Sequence, residues 1–254
     1  MTENLPIGLV SVSFRPLSPK EILDRLRATP LSSVEWGGDV HVPPTDPENA
    51  RAVRKLTEEA GVRVCAYGSY YRTGVSDEKD FTAIAETAAI LGAPLVRVWA
   101  GDKGSKEITE EAYARAVGDT GRICAVAAEK GLAVAFECHN NTLTDDYRSA
   151  LRVLHDVGAE NLYMYWQPNQ FKSLAYNLES LDALSGFITN VHVFNWEGKS
   201  RFPLAYGLEA WRLYLEKLSR APLAHQYLLE FMPHDDPAEL PAEAAALQTL
   251  LKGE

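Results

Sequence analysis

The sequence predicts one (β/α)8 barrel, a TIM barrel of the α/β class, over residues 1–254. Three observations predict it. Short β-branched runs alternate strictly with longer stretches of helical period, eight of each. The units recur at roughly 30 residues, the size of a βα repeat. Several strand-like runs begin apolar and end polar, as a barrel requires when its reactive groups lie at the C-terminal ends of strands. A doubly wound open sheet is the alternative. It usually carries a Gly-rich phosphate loop after its first strand, and here SFRPLSP stands in that place.

Residues 7–14 (IGLVSVSF) read as the first strand. Ser18, Pro19 and Glu21 then give SPKEILDRLRAT a helix start. Residues 32–42 (SSVEWGGDVHV) are a strand and its following loop, and DPENARAVRKLTEEAG is a helix with Gly61 as its C-cap. Strand 62–71 (VRVCAYGSYY) precedes helix 76–93, and strand 94–101 (PLVRVWAG) precedes the long helix 106–131. Strand 132–141 (LAVAFECHNN) leads to helix 144–159, with Thr144 as N-cap. Strand 161–169 (NLYMYWQPN) leads to helix 173–186. Strand 188–196 (ITNVHVFNW) is followed by a loop and helix 208–221, and strand 225–233 (HQYLLEFMP) by the closing helix 236–253. No linker or compositional break marks a second domain.

The formal charge of −10 argues against nucleic acid as a partner, because an acidic surface repels phosphate backbones and no Lys/Arg run offsets it. The three cysteines, Cys65, Cys124 and Cys138, form no CxxC pair, so neither a disulfide framework nor a structural zinc cluster is expected. The N-terminal apolar run is too short to span a bilayer and has no basic flank. A cytoplasmic protein with no membrane partner is the expectation, and a homo-oligomer is compatible with it.

Alternation along the strands selects the candidate site. Ala133, Ala135, Glu137 and His139 share one face of the fifth strand, whereas Val134, Phe136 and Cys138 share the face packed on helices. By the same rule Gln167 and Asn169 share a face, His192 points inward between Val191 and Val193, and Glu230 points inward between Leu229 and Phe231. Glu137, Gln167, His192 and Glu230 thus fall at the ends of four successive strands. Two carboxylates, an imidazole and an amide oxygen suit a divalent ion such as Mn²⁺, Mg²⁺, Co²⁺ or Zn²⁺. The competing reading is a polar layer in which each side chain is separately hydrogen-bonded.

The fragments VEWGGDVHVPP, AYGSYY, VRVWAG, ECHNN, YWQPN, NVHVFNW and LLEF, in this order, resemble the xylose isomerase-like TIM barrel proteins, many of them sugar phosphate isomerases or epimerases. The resemblance covers essentially the whole chain. It implies a metal held by Glu137, His192 and Glu230, with an Asp expected where this chain has Gln167. An amide brings an oxygen without charge, which lowers the expected metal affinity. The resemblance also implies an isomerase or epimerase of a small sugar, keto-sugar or sugar derivative, with Glu137 and Glu230 as the acid/base pair on opposite faces of an enediolate.

Further residues are candidates for substrate contact. His139 is a hydroxyl partner or proton carrier, or a satisfied polar residue at a strand end. Asn140 and Asn169 contact sugar hydroxyls or cap loops. Glu35 and Arg97 form a buried ion pair in one barrel layer, or Arg97 offers its fork to a carboxylate or phosphate. His41, in the loop HVPP, is within reach of the mouth. Tyr70, Trp99 and Trp196 supply rings for sugar faces, while Trp36 and Trp166 pack under helices. Arg201, in the loop 197–207 with Lys199, is a handle for an anion or a solvated side chain. A lyase or dehydratase of the same fold shares the first proton abstraction, and a non-catalytic carbohydrate-binding barrel is the further alternative. DNA cleavage by an AP endonuclease-like site is disfavoured, since GSYY and VWAG supply none of the extra His and Asp ligands it needs.

Overall fold

A computed structural model describes residues 5–223 and 225–253. Eight parallel strands close into a barrel: β1 (Ile7–Val10), β2 (Ser33–Gly37), β3 (Arg63–Arg72), β4 (Leu95–Trp99), β5 (Ala133–Glu137), β6 (Leu162–Trp166), β7 (Ile188–Val193) and β10 (Gln226–Leu229). Each strand pairs with its sequence neighbour in the barrel, and β1 closes the ring on β10, with Leu9 opposite Leu229. Helices α1 (Pro19–Leu26), α2 (Pro47–Glu59), α3 (Asp80–Leu91), α4 (Glu110–Glu129), α5 (Tyr147–Val157), α6 (Leu174–Leu184), α7 (Leu208–Leu218) and α8 (Leu240–Lys252) alternate with the strands. This is the fold class the sequence predicts.

The chain writes these elements by familiar local chemistry. Ser18 and Glu21 form a reciprocal capping box at α1, with Pro19 in the first turn. Gly61, Gly92 and Gly158 take left-handed backbone just past α2, α3 and α5. Apolar side chains divide into two layers. Val34, Phe136, Val191 and Leu229 face outward onto the helices, while Val10, Ala66, Ala135, Tyr165 and Leu228 fill the barrel interior. Polar groups begin where that inner filling ends, which places the site at the C-terminal rim.

Three local expectations are corrected. Residues 11–14 leave the strand as a 3-10 turn, because Ser11 and Ser13 turn their hydroxyls to other backbone groups. Asp146, not Thr144, caps α5 by accepting from the Arg148 N–H. The segment after β7 is no simple loop: β8 (Asn195–Glu197) and β9 (Ser200–Phe202) pair as an antiparallel hairpin over the mouth, with Gly198 in its turn. Among the described residues no helix is long and apolar enough to cross a membrane.

Candidate active site and metal centre

The rim brings Glu137, His192 and Glu230 together, each buried, with one potential ligand atom apiece and all of these atoms within 4.8 Å of one another. Gln167 joins them. His192 Nδ1 lies 2.8 Å from Gln167 Oε1, 3.3 Å from Glu230 Oε2 and 3.6 Å from Glu137 Oε1. One ring nitrogen thus faces three oxygens, and a single N–H can satisfy only one of them. Burial disfavours a charged imidazole, but the Glu230 and Glu137 carboxylates outweigh it and raise His192 to about 10. Two carboxylates crowded on one imidazole make a position where positive charge is demanded. A divalent cation would meet that demand, with Glu137, His192 and Glu230 as the side chains able to hold it and Gln167 Oε1 beside them.

Charge arithmetic agrees. Arg97 lies inside the barrel, with Nε 3.1 Å from Glu35 Oε1 and Nη1 2.5 Å from Glu137 Oε2. Taking Arg97 against Glu35 leaves the two charges of Glu137 and Glu230, which a divalent ion balances. Gln167 completes the set with a neutral oxygen. Gly68 makes room for the ion pair, since a Cβ there would stand 2.4 Å from Glu35 Oε1 and 2.9 Å from Arg97 Nη2.

Glu137 is the most constrained member. Its Oε2 accepts from Arg97 Nη1 and, at 2.7 Å, from the Trp99 indole N–H, while Oε1 faces His192. Burial would raise its carboxyl, yet Arg97 overrides this and holds it well below the usual carboxylate range. Oε2 of Glu137 is thus occupied by two donors, whereas Oε1 faces His192 Nδ1 at 3.6 Å, beyond hydrogen-bond distance. The N–H of Trp99 serves Glu137, and its ring lies tilted beside that of His139 at 5.0 Å.

His139 lines the cleft above the cluster together with Asn140, Asn169, Trp196 and Phe231. Its Nδ1 is 2.8 Å from the Asn140 carbonyl, which can only accept, so Nδ1 carries the hydrogen and Nε2 carries the lone pair in the neutral ring. Asn169 is a loop cap: its Oδ1 accepts from the Phe171 N–H, and its own N–H donates to Asn177 Oδ1. Trp196 stacks on Phe194 at 4.2 Å and leans on Phe231.

Other expected contacts lie away from the cleft. His41 is corrected: it is buried against Trp36, with Nδ1 on Ser11 Oγ and Nε2 on the Leu17 carbonyl, so both nitrogens are spent on holding the first two strand ends. Glu35 and Arg97 are the buried pair, not substrate ligands. Tyr70 stands edge-on behind Trp99 at 5.1 Å and accepts from Arg15 Nη2. Arg201 pairs with Asp235 and lies over the rings of Trp196 and Phe231. Trp36 and Trp166 pack under helices, bonded to Thr57 and Ser180.

Two positioning groups escape sequence reasoning. Thr144 Oγ1 donates to the Glu137 carbonyl at 2.5 Å and fixes the end of β5. Phe231, directly after Glu230, adopts φ of 48°, a strained conformation for a bulky residue, and its N–H donates to Ser13 Oγ. A Thr near a strand end carries a weak signal of this kind, and a left-handed Phe carries none.

A closed parallel barrel whose C-terminal rim brings together Glu137, His192 and Glu230, a group that could hold a metal ion, defines a TIM barrel with a candidate metal centre. Residues 23–250 match the family described as xylose isomerase-like TIM barrel, and the chain belongs to that family. No curated protein matches the sequence. Solved structures are similar over the full length. The probable 3-DHS dehydratase AsbF of Bacillus anthracis, involved in petrobactin synthesis, has a TM-score of 0.81 at 19% identity, covering 96% of this chain and 99% of that one. A xylose isomerase-like TIM barrel protein from Mycobacterium smegmatis in complex with magnesium gives 0.74 at 12% identity, covering 97% of each chain. D-psicose 3-epimerase from Clostridium cellulolyticum H10, with D-tagatose, gives 0.74 at 12% identity, covering 98% of this chain and 99% of that one. At such identities the likeness is one of fold.

Proposed function

We propose that the protein is a metal-dependent isomerase or epimerase of a small sugar, keto-sugar or sugar derivative, acting by proton abstraction next to a carbonyl. The observation that carries this reading is the convergence of Glu137, Gln167, His192 and Glu230 on one point beneath a cleft lined by His139. Those four residues would hold Mn²⁺, Mg²⁺, Co²⁺ or Zn²⁺. A bound divalent ion supplies the Lewis acidity that steadies the negative charge of an enediolate.

The chain's own groups do the rest. Glu230 and His139 carry the proton transfers, one carboxylate and one imidazole lining the same cleft. Arg97 and Trp99 keep Glu137 ionised and oriented. Trp196 and Phe231 give the cleft an apolar wall that excludes water from the reactive enediolate. A probable 3-DHS dehydratase shares the fold, and a lyase would begin with the same abstraction and then expel a β-leaving group.

One experiment tests both. The Mg²⁺-loaded protein is incubated with a panel of ketoses in D2O and followed by NMR. Isomerisation or epimerisation places solvent deuterium on carbon in an isomer, whereas elimination yields an unsaturated product. Glu230→Gln and His139→Gln are each expected to reduce exchange at least about a hundredfold, the usual worth of a general acid or base. Full exchange in both variants refutes the assignment.

A further inference from the structure

We propose that the cleft selects an uncharged polyhydroxylated carbonyl compound and rejects its phosphate ester. The inference rests on the enolisation reading above and narrows it to a substrate class. Among the described residues lining the cleft there is no Lys or Arg, whereas Glu137, Asp145 and Glu230 are there. The arginines near the mouth already have acceptors. Arg97 is buried between Glu35 and Glu137. Arg15 places Nε on Asp39 at 2.8 Å, Nη1 on the Val12 carbonyl and Nη2 on Tyr70. Arg72 lies 4.4 Å over the Trp99 ring with Nη1 on the Gly101 carbonyl. Arg201 is one ring away from the cleft, over Trp196, and is paired with Asp235.

With its carbonyl end at the divalent ion proposed above, a phosphate ester would have to draw in Lys172, an exposed side chain 5.4 Å over the Tyr176 ring, strip a guanidinium from its carboxylate, or lie without a counter-charge beside Asp145. The last two desolvate a charge without compensation, and the first orders a long, free side chain. Hydroxyl groups face no such cost. Carboxylate, amide and phenol oxygens line the cleft through Asp145, Asn140, Gln170 and Tyr176, and hydroxyls can donate to all of them. The apolar faces of Trp196 and Phe231 suit the C–H faces of a sugar.

The test is calorimetric binding to the Mg²⁺-loaded protein of neutral ketohexoses, D-fructose among them, each against its 6-phosphate, with deuterium exchange followed in parallel. The neutral sugar is expected to bind at least about tenfold more tightly, a difference of roughly 1.4 kcal/mol. Asp235→Ala, which releases Arg201, is expected to narrow that ratio several-fold by strengthening the phosphate ester. A phosphate ester that binds as tightly as its parent, or an unchanged ratio in Asp235→Ala, overturns the inference. If exchange nonetheless proceeds, the enolisation reading survives and only the substrate class falls. If no neutral ketose binds or exchanges, the enolisation reading fails and takes this inference with it.

Discussion

Replacing Arg97 by Met tests the electrostatic architecture of the barrel interior. The guanidinium sits 3.1 Å from Glu35 and 2.5 Å from Glu137, and the three side chains are 4%, 0% and 4% exposed. Met matches the length and apolar bulk of the stem, so little cavity opens, and the loss is almost purely one of charge. Breaking a buried pair by removing one partner costs about 3–5 kcal/mol, because the other charge stays buried without compensation. For a chain of this size each kcal/mol moves Tm by about 2–4 °C, so a fall of about 6–20 °C is expected. The assay is urea unfolding followed by tryptophan fluorescence in EDTA, with an unchanged m-value required for the comparison. Adding Glu35→Gln to Arg97→Met removes one stranded carboxylate and should recover about 1–2 kcal/mol as a coupling energy. A loss below about 1 kcal/mol for Arg97→Met would refute the claim that Arg97 is the positive charge that offsets the buried carboxylates on either side of it.

Three other predictions concern the site and its frame. Trp99→Phe keeps the ring but deletes the N–H on Glu137; magnesium affinity measured by calorimetry should weaken about tenfold, the lower end for loss of a group that orients a metal ligand, and an unchanged affinity would show that Trp99 does not position Glu137. Magnesium at a hundred times its Kd should add about 2.7 kcal/mol to the stability of the EDTA-treated protein, or about 5–11 °C in Tm; no shift with any divalent ion argues against the metal centre. Glu243, on α8, accepts from the Leu204 N–H with both oxygens, and burial, with Glu239 nearby, raises its carboxyl to about 7. Its folded-state value lies above the unfolded one, so the stability it confers is complete below about pH 4.5 and is lost as pH rises through about 7. Glu243→Gln should therefore match the parent near pH 4.5 and exceed it by about 1–2 kcal/mol at pH 8, after allowance for screening by solvent; parallel Tm–pH curves would rule this out.

Regular strands are where the sequence is most legible. Ala133, Ala135 and Glu137 alternate cleanly with Val134 and Phe136, so the inward aim of Glu137 follows from the pleat alone. The same logic places His192 within β7 and carries one residue past the ends of β6 and β10 to Gln167 and Glu230. Beyond a strand's last ladder bond the pleat has no hold, and local hydrogen bonds decide. Thr144, Asp145 and Asp146 are three adjacent residues equally fit to cap α5, yet each takes a different partner: the Glu137 carbonyl, the Ser105 N–H and the Arg148 N–H. Nothing within the sequence ranks them. Alternation also says nothing about occupancy. It aims Arg97 inward beside Glu35 without revealing that Glu137 shares it, and it aims Glu137 inward without revealing that Arg97 and Trp99 hold the same oxygen. His41 and Arg201 misled for a similar reason, since proximity in sequence to a strand end does not tell which acceptors already lie nearby.

The hydrogen bond from the Phe231 N–H to Ser13 Oγ joins residues 218 positions apart, beside the seam where β1 meets β10. Glu230 comes from the last strand to join that ring. Closing so long a loop carries a large entropic cost before any contact repays it, so this seam belongs among the late events of folding. A half-made barrel carrying β1 through β7 would already own Glu137, Gln167 and His192 but not the second carboxylate. The proposed metal site would thus be complete only once the barrel closes, and a partly folded chain would lack one of its two carboxylates.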